Sequence, residues 1–299
     1  MGNTLERPEE IRKTHEEAIK MIQERYEKIL EPLQQSEKIL KEEIKNNNYK
    51  LVFAHIKSII NYVNNTDYYN DTEKYNKIKD YYKNHFSYAL VTEEAITKIK
   101  HFLFHNRCKV ILEIGSGFGL WSALINLSIN YNKKEKIVNV IATDKIKYPD
   151  EYLYYNVKKL DYIYAIEEYS DINSCLFLCW PPYNSQVASE SLKQFKGNYL
   201  IFIGEFTDIT NEYMNANVAS REFFEILNKE WEGVSPNNWQ PNTENYFGIP
   251  NWYGIGDSIY FYQRKVKISD GMKSSSKRRQ RSKRKSKKRQ RSKRHSLSS

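Results

Sequence analysis

The sequence has few cysteines and no long apolar run. Its 299 residues include three cysteines, Cys108, Cys175 and Cys179, and this odd number excludes a disulfide framework. The last two lie inside an apolar run rather than at metal-ligand spacing, so no metal site is expected. No segment approaches the roughly 18 consecutive apolar residues of a membrane-spanning helix, and the opening MGNTLERPEE has no apolar signal segment. We expect an intracellular protein, in cytoplasm or nucleus, without a membrane partner.

Glycine is absent from residues 3–114, and only two prolines interrupt them, so this third of the chain is predicted to be helical. Alternating steps of four and three residues separate the members of one apolar stripe in this region. The stripe consists of His15, Ile19, Ile22, Tyr26, Ile29 and Leu33. Residues 51–62 predict a second helix. We interpret residues 1–85 as a helical extension that packs on the next domain. The alternative is a protruding coiled-coil arm, which fewer than four heptads disfavour.

Acidic residues are absent from 271–299, a segment that holds 14 of the 47 Lys and Arg residues. The formal net charge is +10, yet residues 1–270 have 33 basic against 37 acidic side chains, a net charge of about −4. The octapeptide KRRQRSKR at position 277 recurs as KKRQRSKR at 287. Such a segment cannot bury a core, so residues 269–299 are predicted to be a disordered tail. We expect residues 273–294 to bind nucleic acid or another polyanion, or to act as a nuclear signal.

After residue 86, short apolar runs alternate with helical patterns, which is typical of βα units around a parallel sheet. The predicted strands are Val110–Ile114, Ile137–Thr143, Cys175–Trp180, Tyr199–Gly204 and Ser258–Gln263. The predicted helices between them are Leu120–Ile129, Tyr162–Tyr169, Ser189–Phe195 and Arg221–Glu230. The predicted fold class is α/β: a doubly wound, mostly parallel sheet in a domain at 86–268, preceded by the helical extension and followed by the tail.

One motif, VILEIGSGFGLWSALI, leads from a predicted strand through three glycines into a predicted helix. Such a turn lets a ligand approach the backbone beside the free N–H groups of a helix N-terminus, which suits a nucleotide-like molecule. A dinucleotide fingerprint would need a third glycine where Leu120 stands, and the Gly-Lys-Ser/Thr of a P-loop is missing. NAD and ATP are therefore disfavoured.

The stretch Glu113 to Gly119 reads E-x-G-x-G-x-G and resembles the first motif of the class I S-adenosylmethionine-dependent methyltransferases. The resemblance implies a Rossmann-like fold, S-adenosylmethionine as cofactor and methyl transfer as the reaction. It implies a cofactor site built from this motif and from two acids further along the chain. The residues concerned are Glu113, Gly115, Gly117, Gly119, Asp144, Asp161 and Tyr162.

The two acids have structural alternatives. Asp144 ends the next strand, 25 residues after Gly119, where it is placed to accept hydrogen bonds from both ribose hydroxyls. Its alternative is a solvated carboxylate at a strand end. Asp161 opens a predicted helix, and in the resembled fold class such an acid and its neighbour, here Tyr162, flank the adenine ring. The alternative for Asp161 is a plain helix N-cap.

A proline loop, W-P-P-Y, follows the strand CLFLC at the sheet edge where catalytic groups belong in an open α/β sheet. It looks like the D/N-P-P-Y motif of amino-methyltransferases, in which the acid or amide accepts from the target amino group and the aromatic ring stacks on the base. Trp180 stands in the acceptor's place, and an indole N–H only donates. The carbonyls of Pro181 and Pro182 remain as acceptors, and Tyr183 as a stacking surface. A rigid turn with Trp180 as core filler is the alternative.

Glu205 stands at the end of the predicted strand Tyr199–Gly204, at the same edge of the sheet. It is a candidate general base or anchor for a substrate amine, and the alternative is a solvated strand end. Tyr88, Trp239 and Trp252 line the substrate mouth or simply pack, and the long connection 233–256 suggests a lid. The chain also resembles a little-characterised methyltransferase-like family. Four segments carry this resemblance: FSYALVTEEAITKIKHFL, LFLCWPPY, IFIGE and PNWYGIGDSIYFYQR. That resemblance implies a fold and a cofactor, and no substrate.

Three functions are compatible with these patterns. The leading prediction is S-adenosylmethionine-dependent methyl transfer to an unidentified acceptor, by in-line displacement from the sulfonium with the W-P-P-Y loop facing the substrate. The alternative is a catalytically retired methyltransferase-like protein that serves as a nucleic-acid-associated structural component through its basic tail. A different nucleotide-binding enzyme, such as a dehydrogenase, is disfavoured by Leu120.

Overall fold

The computed structural model describes residues 8–206, 218–241 and 244–265. Every helix and strand in these ranges belongs to one unit that ends at Arg264. The predicted basic tail, 269–299, lies outside the described residues, and so does the segment 273–294 that is predicted to bind a polyanion.

The sequence order of the elements is an all-helical first third followed by alternating strands and helices. The helices are α1 (Pro8–Lys45), α2 (Tyr49–Asn64), α3 (Thr72–His85), α4 (Glu93–His105), α5 (Leu120–Asn130), α6 (Tyr162–Tyr169), α7 (Val187–Gln194) and α8 (Arg221–Glu230). The strands are β1 (Val110–Ile114), β2 (Asn139–Asp144), β3 (Val157–Lys159), β4 (Ser174–Cys179), β5 (Tyr199–Gly204), β6 (Trp231–Gly233), β7 (Tyr246–Gly248) and β8 (Ser258–Arg264).

The described strands form one sheet in the order β3-β2-β1-β4-β5-β8-β6, with β7 paired to β8 beside that path. Strands β1 to β5 are parallel, whereas β8 runs antiparallel to β5, and β6 and β7 run antiparallel to β8. The chain leaves β1 towards β3 and then returns to β4 on the other side of β1. This reversal is a topological switch point, the place where open α/β sheets bind ligands. The predicted mostly parallel sheet of an α/β fold is confirmed.

Two apolar cores cover the two faces of the sheet because successive strand side chains point to opposite sides. Cys175 and Phe177 of β4 belong to the core shared with α2 to α5, whereas Leu176 and Leu178 belong to the core formed with α6 to α8. All four side chains are fully buried. The sheet is therefore doubly wound, as predicted.

The helical extension packs on the sheet domain through the first of these cores. Leu33 and Leu40 of α1 are buried there together with side chains of α4 and α5. The first half of α1 is different, because Ile19 and Ile22 of the apolar stripe are exposed. The second half of α1, together with α2 and α3, therefore packs on the sheet domain, whereas the domain division at residue 85 stays a prediction.

Candidate active site

Several loops meet at one edge of the sheet, where the parallel strands have their carboxyl ends. Because β8 is antiparallel to β5, with Gly204 opposite Ser258, the start of β8 also lies at this edge. The edge, hereafter the rim, therefore carries the glycine loop after β1, Asp144 at the end of β2, the W-P-P-Y loop after β4, Glu205 after β5 and Asp257 before β8.

The glycine loop has a left-handed backbone at all three of its glycines, with φ of +71° at Gly115, +55° at Gly117 and +77° at Gly119. A Cβ at Gly119 would lie 2.9 Å from Val157 Cγ2, so this glycine permits close packing on β3. A Cβ at Gly115 or Gly117 would meet nothing within 4 Å. The open side of the loop therefore lies at Gly115 and Gly117, where a ligand can approach the backbone.

Asp144 ties the glycine loop to β2. Its Oδ2 accepts from the Gly117 N–H at 3.0 Å, and its Oδ1 accepts from the Ile146 N–H at 2.9 Å. The side chain is 8% exposed, so it is not the solvated strand-end carboxylate of the alternative interpretation. Each carboxylate oxygen has a second lone-pair site, so Asp144 retains capacity to accept ligand hydroxyls.

Glu113 lies beneath the loop rather than on its open side. It is buried, and its Oε2 accepts from the Ser122 hydroxyl of α5. Burial raises the pKa of Glu113 to about 8, and the nearby Asp144 charge adds to that rise. Glu113 thus links β1 to α5, and its described partner is a protein side chain.

Asp161 is the N-cap of α6, where its Oδ1 accepts from the Ile163 N–H at 3.2 Å. The structural alternative for this acid is therefore observed. Asp161 and Tyr162 follow β3 at the rim and are both partly exposed, so each has surface that a ligand can contact. Their role at an adenine ring stays a prediction.

The W-P-P-Y loop makes most of its polar contacts within the protein. Trp180 has a left-handed backbone, with φ of +51°, and its backbone N–H donates to the Ile203 carbonyl at 2.9 Å. The Pro181 carbonyl accepts from Ala219 N–H at 2.9 Å, and the Pro182 carbonyl accepts from Ser185 N–H at 3.2 Å. The prolyl carbonyls predicted as substrate acceptors thus already have protein donors. Tyr183 is 54% exposed and available for stacking.

Asp257, which sequence reasoning did not single out, supplies a carboxylate next to Trp180. The Trp180 indole N–H donates to Asp257 Oδ1 at 2.9 Å. Asp257 is 1% exposed, and its Oδ2 has no hydrogen-bond partner within the part of the chain that the structure describes. Burial, assisted by the nearby charge of Glu205, raises the pKa of Asp257 to about 6.

Glu205 lies next to Asp257, because its Oε1 accepts from the Gly256 N–H at 3.1 Å. Two rings and a cation complete this part of the rim. The ring of Tyr88 stacks on that of Trp180 with centroids 5.9 Å apart. The Lys83 ammonium lies 5.3 Å from the Tyr88 centroid and 5.6 Å from the Trp180 centroid. Burial lowers the pKa of Lys83.

The other two predicted mouth residues pack inside the protein. Trp252 is 2% exposed and donates its indole N–H to the Tyr88 carbonyl at 3.3 Å. Trp239 packs on Phe102 and Phe261, with centroid distances of 5.6 and 5.3 Å. The connection 233–256, predicted as a lid, contains β7, which pairs antiparallel with β8 near one side edge of the sheet.

The described residues contain no group of three or more His, Cys, Asp or Glu side chains placed to hold a metal ion. Over these same residues, no helix has both the length and the apolarity that crossing a membrane requires.

Two observations bear on which ligand the rim can hold. The space beside Gly115 and Gly117 is open at the start of α5, an 11-residue helix whose first N–H groups lack helical partners. In the same loop, the buried Ser116 hydroxyl has no hydrogen-bond partner among the residues described. The first N–H groups of α5, the Ser116 hydroxyl and Asp144 thus offer donors and an acceptor to a ligand with both carboxylate and hydroxyl groups.

No family model matches the chain, and no curated protein matches it. Among solved structures, a protein described as a caffeoyl-CoA O-methyltransferase from Staphylococcus aureus is 15% identical and covers 59% of this chain and 85% of its own, with a TM-score of 0.33. The precorrin-6y C5,15-methyltransferase of Geobacter metallireducens is 11% identical over 59% of this chain and 90% of its own, TM-score 0.33. A protein described as a methyltransferase of Thermobifida fusca is 15% identical over 65% and 89%, TM-score 0.34. TM-scores under 0.5 are too low to carry function between proteins.

Proposed function

We propose that this chain is an S-adenosylmethionine-dependent methyltransferase whose acceptor binds at the W-P-P-Y loop. The observation that carries the proposal is the glycine loop at the switch point of the sheet, open at Gly115 and Gly117 and held by Asp144. S-adenosylmethionine supplies an electrophilic methyl group on a sulfonium. The glycine loop and Asp144 hold its amino-acid and ribose parts, and Asp161 and Tyr162 flank its adenine.

The acceptor side of the rim is formed by Tyr183, Trp180, Glu205 and Asp257. Methyl transfer is an in-line displacement, so holding the two reactants in line and excluding water supplies most of the rate. Trp180 is fixed at both its backbone and its indole N–H, which gives the acceptor site one rigid wall. Pro181 and Pro182 hold the turn that presents Tyr183.

Calorimetry with S-adenosylmethionine and with S-adenosylhomocysteine tests the proposal. We expect both to bind the full-length protein, and Gly117→Leu to abolish binding because its side chain fills the open space beside the loop. Gly254→Leu is the matched control, since Gly254 also has a positive φ, +76°, and an open Cβ direction, and carries the same backbone strain away from the glycine loop.

Equal affinity in the wild type and in Gly117→Leu would overturn the assignment. Loss of binding in both glycine variants would trace the effect to backbone strain instead. Cofactor binding without methyl transfer to any acceptor would favour the retired methyltransferase-like protein.

A further inference from the structure

The corner of the rim between α3, β4 and β8 already holds an ammonium group. The Lys83 ammonium stands against the rings of Tyr88 and Trp180, at 5.3 and 5.6 Å from their centroids. Aromatic faces attract cations in this range through their negative π surface. The chain's own lysine therefore shows that this corner accommodates an aliphatic ammonium.

A buried carboxylate with one unoccupied oxygen lies at the same corner. Asp257 Oδ1 is occupied by the Trp180 indole, whereas Oδ2 is buried and lacks a hydrogen-bond partner in the described ranges. A buried polar atom of this kind costs free energy unless something binds it. An indole N–H only donates, so Asp257 is the hydrogen-bond acceptor that lies beside Trp180 at this corner.

We infer that the methyl acceptor is an aliphatic amine, which displaces the Lys83 ammonium from the two rings and gives a proton to Asp257 Oδ2. The inference rests on the proposed methyl transfer. The alkylammonium first loses a proton to the Asp257 carboxylate. The neutral nitrogen then forms a bond to the methyl carbon as the carbon–sulfur bond breaks and its electron pair stays on sulfur. The methylated nitrogen becomes the cation, and Asp257 releases its proton to water.

The charges around Asp257 are compatible with this role. Glu205 faces it from the end of β5, Lys79 and Lys83 act on it from α3, and Cys179 and Tyr260 lie within electrostatic range. With its pKa raised to about 6, Asp257 is a carboxylate above that pH and can accept a proton. The rate of transfer should therefore fall as the pH drops through about 6.

The first test compares acceptors and the Asp257→Asn variant in the full-length protein. We expect methyl transfer to n-butylamine or to a lysine-containing peptide, and little transfer to adenosine or to a phenol. The faster of the two amines shows whether the acceptor is a small molecule or a protein lysine. Asp257→Asn keeps an oxygen for the Trp180 indole and should lower kcat/KM at least 100-fold while losing the pH limb near 6. Asp171→Asn, at the opposite edge of the sheet, is the matched control and should leave both unchanged.

A second measurement needs no turnover. Calorimetry of n-butylamine with the S-adenosylhomocysteine complex should show at least tenfold weaker binding in Asp257→Asn. Lys83→Met should bind the amine at least fivefold more tightly and lower KM with little change in kcat. Lys77→Met is the control. Lys77 belongs to α3, as Lys83 does, but its ammonium lies over the ring of Tyr26 in α1 and away from the rim.

Transfer confined to adenosine or the phenol, or an Asp257→Asn protein equal to wild type, would overturn the inference while leaving methyl transfer intact. An unchanged amine affinity in Lys83→Met would overturn the displacement of Lys83. Absence of binding by either S-adenosyl compound would instead reject the proposed function, whatever the amine does.

Discussion

Glu113 and Asp257 are both buried acids near the rim, and they differ in what their oxygens contact. Glu113 has the Ser122 hydroxyl beside it and lies under the glycine loop. Asp257 has the Trp180 indole on one oxygen and no described partner on the other. Burial raises the pKa of both, to about 8 for Glu113 and about 6 for Asp257. At neutral pH, therefore, Glu113 holds its proton while Asp257 is mostly ionised.

The protonated state of Glu113 predicts how stability depends on pH. Its folded pKa of about 8 exceeds the unfolded value of about 4.3. Between these values the folded protein binds a proton that the unfolded chain has lost, so the free energy of unfolding falls as pH rises, by up to about 1.4 kcal/mol per pH unit. Glu113→Gln should remove this slope, as measured by urea unfolding between pH 5 and 8.

Glu94→Gln, an exposed acid of α4, is the control and should follow the wild-type curve. If the wild type and Glu113→Gln instead keep a constant difference in unfolding free energy across that range, Glu113 is ionised throughout and burial does not control its proton.

At the scale of the elements, local sequence patterns predicted where helices and strands lie along the chain better than they predicted the direction of a strand within the sheet. Strands β1 and β5 and helices α6 and α8 have their predicted bounds, because each is bordered by residues that end a strand or start a helix. Strands β3, β6 and β7 were not predicted as strands, since three residues are too few to show a period. The antiparallel direction of β8 depends on its pairing with β5, which no local pattern contains.

The direction of β8 also explains why Asp257 was missed as a site residue. The sequence places Asp257 just before a predicted strand, and in a parallel sheet that position lies at the edge opposite the ligand. The antiparallel β8 brings it to the rim beside Trp180 instead. The signal that was available is the run W-x-G-x-x-D, in which an acid precedes the last strand. The glycine loop and Asp144 needed no such information, because they follow parallel strands.

A partly buried polar cluster surrounds Glu37 of α1. Glu37 Oε1 accepts from the Lys41 ammonium at 2.6 Å, and Oε2 accepts from the Tyr81 hydroxyl at 2.6 Å and lies 3.1 Å from His85 Nδ1. Lys41 also donates to the Glu151 carbonyl at 3.0 Å. The cluster thus joins α1 to α3 and to the connection after β2.

Removing Glu37 leaves its donors without their acceptor. We expect Glu37→Ala to lower the free energy of unfolding by about 3 kcal/mol, the usual cost of breaking a buried ion pair. Glu24→Ala removes an exposed pair with Lys20 on the same helix and should cost under about 1 kcal/mol. Chemical unfolding measures both. If Glu37→Ala and Glu24→Ala lower the free energy of unfolding by equally small amounts, apolar contacts such as those of Leu33 and Leu40 suffice to hold α1.

At the scale of the whole molecule, the charge is divided between two parts of the chain. Residues 1–270 have a net charge of about −4, whereas 271–299 contain 14 basic and no acidic residues. A rim that holds the acids Asp144, Glu205 and Asp257 does not favour a polyanion as its ligand. The acceptor site and any nucleic-acid attachment are therefore expected to be separate functions.

This division predicts how binding to nucleic acid depends on salt. The basic residues of 273–294 should displace counterions from phosphates, so the affinity of the full-length protein for duplex DNA should fall steeply with salt, with a log-log slope near −0.9 per phosphate neutralised. A chain that stops at Asp270 should lose both the affinity and the slope while binding S-adenosylmethionine as before. Phosphorylation of serines within the KRRQRSKR repeats should weaken DNA binding by adding negative charge. If the shortened chain instead keeps the affinity and the slope, the nucleic-acid surface lies in residues 1–270 despite their net negative charge.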